Sequence, residues 1–184
     1  MRIALSGMSG SGKTTAVTRV AEALGLACVN YTFREMARER GISFDELRQK
    51  AERDFPNVDL DLDSRQIELV LAEKDCIVGS RLAAWLDTPG VLKRLDLAKD
   101  AFAFDCKFWL DAPLEVRAER IAEREGRAFK EVLAETRERD ALDSARYARI
   151  YGVDLRKPRV DARIDAAALD AAGVAREIVR LARK

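Results

Sequence analysis

Eight consecutive residues constrain this chain more than any others: Gly7-Met8-Ser9-Gly10-Ser11-Gly12-Lys13-Thr14 carries the spacing G-x-x-x-x-G-K-T. It lies between an apolar strand-like run, Ile3-Ala4-Leu5, and a helix-like run from Thr15 to Leu24. Such a loop works only as a strand-to-helix turn, because its backbone N–H groups must converge on phosphate oxygens. The helix behind it adds partial positive charge at the same point. In that geometry Lys13 reaches the β and γ phosphates as a point charge, and the Thr14 hydroxyl contacts Mg²⁺. A flexible Gly/Ser turn has a similar composition but lacks this register of strand, loop, Lys-Thr and helix. The stretch therefore reads as a nucleoside triphosphate site, and the remainder of the chain decides what is done with the triphosphate.

At 184 residues the chain suits one domain with one sizeable core. Lys+Arg 33 and Asp+Glu 32 nearly cancel, which argues against polymeric nucleic acid as the main partner. Nine lysines leave 24 arginines among those 33 basic residues. Arginine offers phosphate a planar fork, although a general Arg- and Ala-rich composition accounts for the total equally well. Histidine is absent, so no His base, triad or metal ligand is available, and chemistry must run on Lys, Arg, Asp, Glu and bound metal. Cys28, Cys76 and Cys106 each sit in an apolar run and read as small buried hydrophobes in a reducing compartment. With no signal pattern and no apolar run near membrane-spanning length, a cytoplasmic location and no membrane partner are expected.

Short apolar runs alternate with amphipathic stretches, the pattern of a parallel sheet covered on both faces. The expected strands are Arg2–Ser6, Ala27–Val29, Cys76–Val78, Cys106–Leu110 and Arg163–Asp165. The expected helices are Lys13–Leu24, Thr32–Arg40, Ser43–Arg53, Asp61–Glu73, Leu114–Glu125, Ala128–Tyr151 and Ala172–Lys184. Asp111-Ala112-Pro113 has the form of a helix start, with Asp at the cap and Pro in the first turn. Two stretches look too polar for core: Asn30–Ser64, with its string Asp59-Leu60-Asp61-Leu62-Asp63, and Glu123–Asp154. Each suits a mobile flap over the phosphate site, and the second equally suits a solvated helix held by Glu/Arg pairs.

Two signals bear on function. Asp87-Thr88-Pro89-Gly90 has the D-x-x-G spacing of a γ-phosphate switch. Neither Asn30 nor Asn57 is followed by lysine, so a guanine reader is missing, and Pro89-Gly90 reads as punctuation between elements. The other signal is arginine near element ends: Arg34, Arg81, and Arg117, Arg120, Arg124 and Arg127 along one side of a helix. Phosphoryl transfer between two anionic substrates needs such cations, because charge spreads over oxygens of donor and acceptor.

The loop at 7–15, which ends at Thr15, combines with further motifs in order: Phe33-Arg34-Glu35-Met36-Ala37-Arg38-Glu39-Arg40-Gly41, Asp63-Ser64-Arg65-Gln66, Ser80-Arg81-Leu82-Ala83-Ala84-Trp85, Trp109 to Ile121, and Arg146-Tyr147 with Ile150-Tyr151-Gly152. In this combination the chain resembles the nucleoside monophosphate kinases, most closely the cytidylate kinases of the short, archaeal-like type. The resemblance implies an α/β P-loop NTPase three-layer fold, with a five-stranded parallel sheet and helices on both faces. It also implies mobile segments within the single domain 1–184: a monophosphate-binding region at 30–66 and a lid at 123–146.

The implied reaction is ATP-dependent phosphorylation of CMP, and with it dCMP, with Mg²⁺, in a monomer. By resemblance, Arg34 and Arg81 clamp the acceptor phosphate, and Arg120 and Arg124 border the adenine and the transferred group. Arg139 and Arg146 swing in with the lid, and Asp63 and Asp143 help hold the cytidine. The chain departs from many such kinases in having Gly79 or Ser80 where an acidic residue orients Mg²⁺-bound waters; Asp111 is either that carboxylate or a helix cap. The segment Leu86–Asp105 has no counterpart in this reading. An adenylate or shikimate kinase on the same architecture, and a nucleotide-dependent switch resting on Asp87–Gly90, remain as rivals.

Overall fold

A computed structural model describes residues 1–97 and 102–183. Five strands, β1 (Arg2–Gly7), β2 (Ala27–Val29), β3 (Cys76–Gly79), β4 (Cys106–Asp111) and β5 (Ala162–Asp165), form one sheet in the order β2-β3-β1-β4-β5. All adjacent pairs are parallel. Around them lie α1 (Lys13–Leu24), α2 (Phe33–Glu39), α3 (Phe44–Arg53), α4 (Asn57–Ala72), α5 (Pro89–Arg94), α6 (Leu114–Glu125), α7 (Phe129–Tyr151) and α8 (Ala171–Ala182). Strand alternation divides the core into two layers. Ile3, Leu5, Ile77, Phe108, Leu110 and Ile164 face α1 and α8. Ala4, Val78 and Trp109 face Ile67 and Val70 of α4, with Tyr147 of α7 in the same cluster. Near-continuous burial of β1 and β3 is what a parallel sheet covered on both sides requires.

This order sets the site. β1 and β4 are neighbours whose onward connections leave toward opposite edges, so a crevice opens beyond their carboxyl ends. The loop after β1 and the start of α6 after β4 border that crevice.

Several expectations need correction. The helix expected from Asp61 begins at Asn57, so the whole acidic string lies inside α4 rather than straddling its start. At a period of 3.6, Val58 and Leu62 fall on one side and join Tyr31, Met36, Ala37, Leu47 and Ala51 in a separate core cluster. The region judged too polar for core therefore has a small core of its own. The second polar stretch likewise buries Val132, Tyr147, Ile150 and Val153. Asp111 ends β4 instead of capping a helix: it takes a two-pronged ion pair from Arg163 at 2.6 and 2.8 Å, and the cap position belongs to Pro113. Pro89-Gly90 is not a break but the start of α5, Pro being tolerated where no helical N–H is needed.

The uninterpreted segment Leu86–Asp105, of which residues 98–101 lie outside the described residues, inserts Leu86, Val91, Leu92, Leu95 and Phe104 into the core. Asp87 is tied to Lys107 at 2.6 Å and accepts the Phe104 N–H, which gives that acid an anchoring role. Cys76 is buried, whereas Cys28, on the edge strand β2, is exposed. Lys184, expected to end the last helix, lies outside the described residues.

Candidate active site

The loop from Gly7 to Thr14 makes the turn between β1 and α1. Gly10 and Gly12 have φ of 79° and 93°, a region open chiefly to glycine. Gly10 is also pressed against α6: a Cβ there would stand 2.6 Å from the Arg117 carbonyl oxygen. The Lys13 ammonium is folded beneath the loop, donating to the carbonyls of Gly7 (2.7 Å) and Met8 (2.9 Å). Burial, then the cations Arg81 and Arg117, push its pKa down to about 7, with Asp140 and Asp143 opposing them. An anion in the loop would reverse that shift.

Arg117 was expected on a charged helical face; it is instead buried, with 6% of its surface exposed. Its guanidinium donates to the carbonyls of Ala112 and Ser9, each at 3.0 Å, and to Asp140 at 2.6 Å. One side chain thus fastens the loop, the start of α6 and α7. Of the other arginines in that row, Arg120 donates to the Ala166 carbonyl. Arg124 is exposed and paired with Glu125, while Arg127 pairs with Glu131 and Glu135. The like-charge stripe is therefore neutralised piecemeal.

Across the crevice Arg81, just beyond β3, forms an ion pair with Asp143 of α7 at 2.8 Å. One turn on, Arg146 pairs with Asp59 of α4 at 3.1 Å, and the Tyr151 hydroxyl donates to Asp63 at 2.7 Å. Burial raises the pKa of Asp63 to about 7; the Tyr151 hydroxyl opposes that shift and Asp59 adds to it. Burial raises Asp59 as well, against Arg146.

Among the described residues, buried side-chain polar atoms without a hydrogen-bond partner are Ser80 Oγ, Arg81 Nε, Asp140 Oδ1, Asp143 Oδ2, Asp59 Oδ2 and Gln66 Oε1. Such atoms are costly, and three of these residues, Arg81, Asp140 and Asp143, act electrostatically on Lys13. Asp143 and Arg81 keep their ion pair without the alignment of a hydrogen bond. Arg34 lies apart from this set, exposed at the start of α2 and stacked 4.6 Å over the Phe44 ring. Arg139 is an exposed position of α7.

The missing acid at the end of β3 is built into the packing: a Cβ on Gly79 would stand 2.6 Å from Val17 Cγ2. Among the described residues no group of three or more His, Cys, Asp or Glu could hold a metal ion. The exposed Thr14 hydroxyl in the first turn of α1 suits a hard cation that arrives already bound to phosphate oxygens. Sequence reasoning placed Arg117 in a charged row and Asp59 in an acidic string without giving either a role of its own, and did not name Asp140. A helix begun at Asn57 would have put Asp59, Asp63 and Gln66 on one face at i, i+4 and i+7.

A family model described as an AAA domain matches residues 3–142. The cytidylate kinase of Methanopyrus kandleri is 44% identical over 154 residues, spanning 83% of this chain and 77% of that protein. That of Pyrococcus horikoshii is 39% identical over 155 residues, spanning 83% and 72%. Among solved structures, shikimate kinase from Bacteroides thetaiotaomicron aligns with TM-score 0.63 at 15% identity, covering 100% of this chain and 99% of that one. Deoxyadenosine kinase from M. mycoides with bound dATP aligns at 0.54 and 16% identity, covering 100% of each. At those identities the structures speak for the fold alone.

Proposed function

The chain belongs to the cytidylate kinase family, and we infer from that membership that it transfers the γ-phosphoryl group of ATP to CMP, releasing ADP and CDP. The observation that carries the reading at the level of the site is the cluster of Arg81, Arg117, Asp140 and Asp143 around Lys13, of which Arg81, Asp140 and Asp143 each keep a buried polar atom without a hydrogen-bond partner. Asp140 and Asp143 hold Arg117 and Arg81 there, as anionic substrate oxygens would.

In the reaction an acceptor phosphate oxygen attacks the γ phosphorus in line as the bond to the β-bridging oxygen breaks. The attacking oxygen is already anionic near neutral pH, so no general base is required, in keeping with a chain that has no histidine. Lys13 leaves the loop carbonyls for the β and γ phosphates, while backbone N–H groups of residues 7 to 15 enclose the donor. Arg81 exchanges Asp143 for the acceptor phosphate, Arg34 adds a second contact to it, and Asp63 and Asp143 hold the nucleoside. Arg120, Arg124, Arg139 and Arg146 gather charge over the transferred group when the segment 123–146 closes as a lid over the monophosphate-binding region 30–66. Kinases of this family generally use Mg²⁺ with ATP; here Thr14 would contact the ion, which shields phosphate charge when bound.

No helix among the described residues is long and apolar enough to cross a membrane. We assign the chain to the cytoplasm as a monomer, acting on CMP and dCMP and not on polymeric nucleic acid.

The test is an acceptor panel at fixed MgATP: CMP, dCMP, UMP, AMP and shikimate. CMP should give the highest kcat/KM. Efficient turnover of AMP or shikimate with CMP inert would refute the assignment.

A further inference from the structure

Just beyond β3 stand Ser80 and Arg81, and the reaction described above uses only Arg81. The ladder with β1 runs one residue past Gly79: Leu5 is level with Gly79, and the Ser80 N–H donates to the Leu5 carbonyl at 3.3 Å. Strand alternation therefore still applies at Ser80. Gly79 meets Val17 of α1, whereas Val78 lies in the core layer with Ile67 and Val70 of α4 and Tyr147 of α7. Ser80 shares the side of Val78, so its hydroxyl belongs to the layer of α4 and α7 and not to the face covered by α1.

Both side chains at this strand end are short of partners. Ser80 Oγ is buried with nothing to hydrogen-bond, and so is Arg81 Nε. Ser6, on the neighbouring strand, shows the contrast: its hydroxyl accepts the Ala84 N–H at 2.9 Å. An unpartnered buried donor is costly, and a ligand that supplies the acceptor removes the cost. The charges around Ser80 say what that ligand is. Arg81 holds one carboxylate, Asp143, through Nη2 at 2.8 Å, and no acid fits at Gly79, where a Cβ would stand 2.6 Å from Val17 Cγ2. Two adjacent donors on a strand end without a carboxylate match a phosphate, whose oxygens accept from a hydroxyl and a guanidinium together. Ser80 is partly exposed as a residue, so rotation about its one side-chain torsion turns the hydroxyl to the crevice.

We propose that the Ser80 hydroxyl donates to the phosphate of the acceptor nucleotide beside Arg81, helping to hold the attacking oxygen in line. The proposal rests on the reading of the chain as a CMP kinase in which Arg81 meets the acceptor phosphate.

Its test measures binding of CMP, dCMP, ADP and MgADP by calorimetry, together with kcat and KM, in the wild type, Ser80→Ala and Ser80→Asp. Alanine deletes one oxygen that has no partner in the free chain, so the thermal midpoint should equal or exceed that of the wild type. CMP and dCMP should both bind roughly 10- to 100-fold more weakly, the loss of one hydrogen bond to a charged group, with KM rising in step. ADP and MgADP should stay within about twofold of wild type. Aspartate sets a carboxylate against the acceptor phosphate, so Ser80→Asp should lose CMP more severely than Ser80→Ala and should not favour MgADP over ADP any more than the wild type does. Unchanged CMP binding in Ser80→Ala would overturn the proposal. So would a loss confined to ADP and MgADP or shared equally by donor and acceptor, or tighter MgADP binding in Ser80→Asp, which would put position 80 at the metal. A wild type that does not bind CMP would refute the underlying reading, and the proposal with it.

Discussion

Arg117 offers the sharpest test of how the phosphate loop is held. Replacing it by methionine keeps much of the stem's volume but removes three hydrogen bonds: to the Ser9 carbonyl in the loop, the Ala112 carbonyl before α6, and Asp140 on α7. The carbonyls can turn to water, but the carboxylate cannot do so easily. Asp140 is 17% exposed at its side chain and its Oδ1 already lacks a partner, so losing the cation leaves a largely buried charge uncompensated. Removing one member of a buried ion pair costs about 3–5 kcal/mol, against about 5–15 kcal/mol for the whole stability of a domain. Urea unfolding of Arg117→Met should therefore show a loss of about 3 kcal/mol or more, accompanied by weaker MgADP binding because Ser9 is no longer fixed. Adding Asp140→Leu should restore part of the stability, since the stranded charge is gone, while leaving nucleotide binding weak. A single variant within about 1 kcal/mol of wild type, or a double variant no better than the single, would refute the reasoning.

Three further outcomes follow from particular contacts. With its pKa near 7 in the free chain, Lys13 is mostly neutral at about pH 8.5 and is recharged by a bound polyphosphate. MgADP binding should then take up close to one proton at that pH and little at about pH 6, read from calorimetry in buffers of different ionisation enthalpy. Affinity should fall as pH rises through 7, and Lys13→Met should abolish the uptake. Asp63 stays protonated up to about pH 7, while the unfolded chain releases that proton near 3.8. Native stability therefore falls as pH rises from about 4 to about 7, and Asp63→Asn should remove that fall and be more stable by a few kcal/mol at about pH 8. An offset independent of pH in the urea midpoints would contradict it. Gly79→Ala drives a methyl to 2.6 Å from Val17 Cγ2 and should cost about 1–3 kcal/mol, recovered in part by Val17→Ala in thermal unfolding.

The sheet was legible because apolar runs and glycine-rich turns are local. All five strands fall within one residue of their expected limits, and the loop and α1 lie where the Gly-Lys-Thr spacing puts them. What escaped was long-range. The alternation of Asp and Leu at 59–63 suggested a surface string, but the helix begins two residues before Asp59, and its period sends Leu62 to one core cluster, Leu60 to another, and buries Asp59 and Asp63 against Arg146 and Tyr151 while Asp61 stays exposed. Arg117 sits in a row of arginines at helical spacing, and only the return of α7 past the loop shows that this one is buried. Asp111 looked like a cap because Pro113 follows it, and its partner Arg163 comes from a strand 52 residues later. The polar pairs Asp59–Arg146 and Asp63–Tyr151 are assembled by α4 meeting α7, and no sequence spacing reports that meeting.

The central claim is that the loop is half of a two-substrate site, and the stoichiometry of transfer tests it most directly. MgATP and CMP incubated with the enzyme and followed by ³¹P NMR should yield CDP and ADP in equal amounts, with no inorganic phosphate beyond the background seen without CMP. Steady release of inorganic phosphate that ignores CMP, with no CDP formed, would contradict the account.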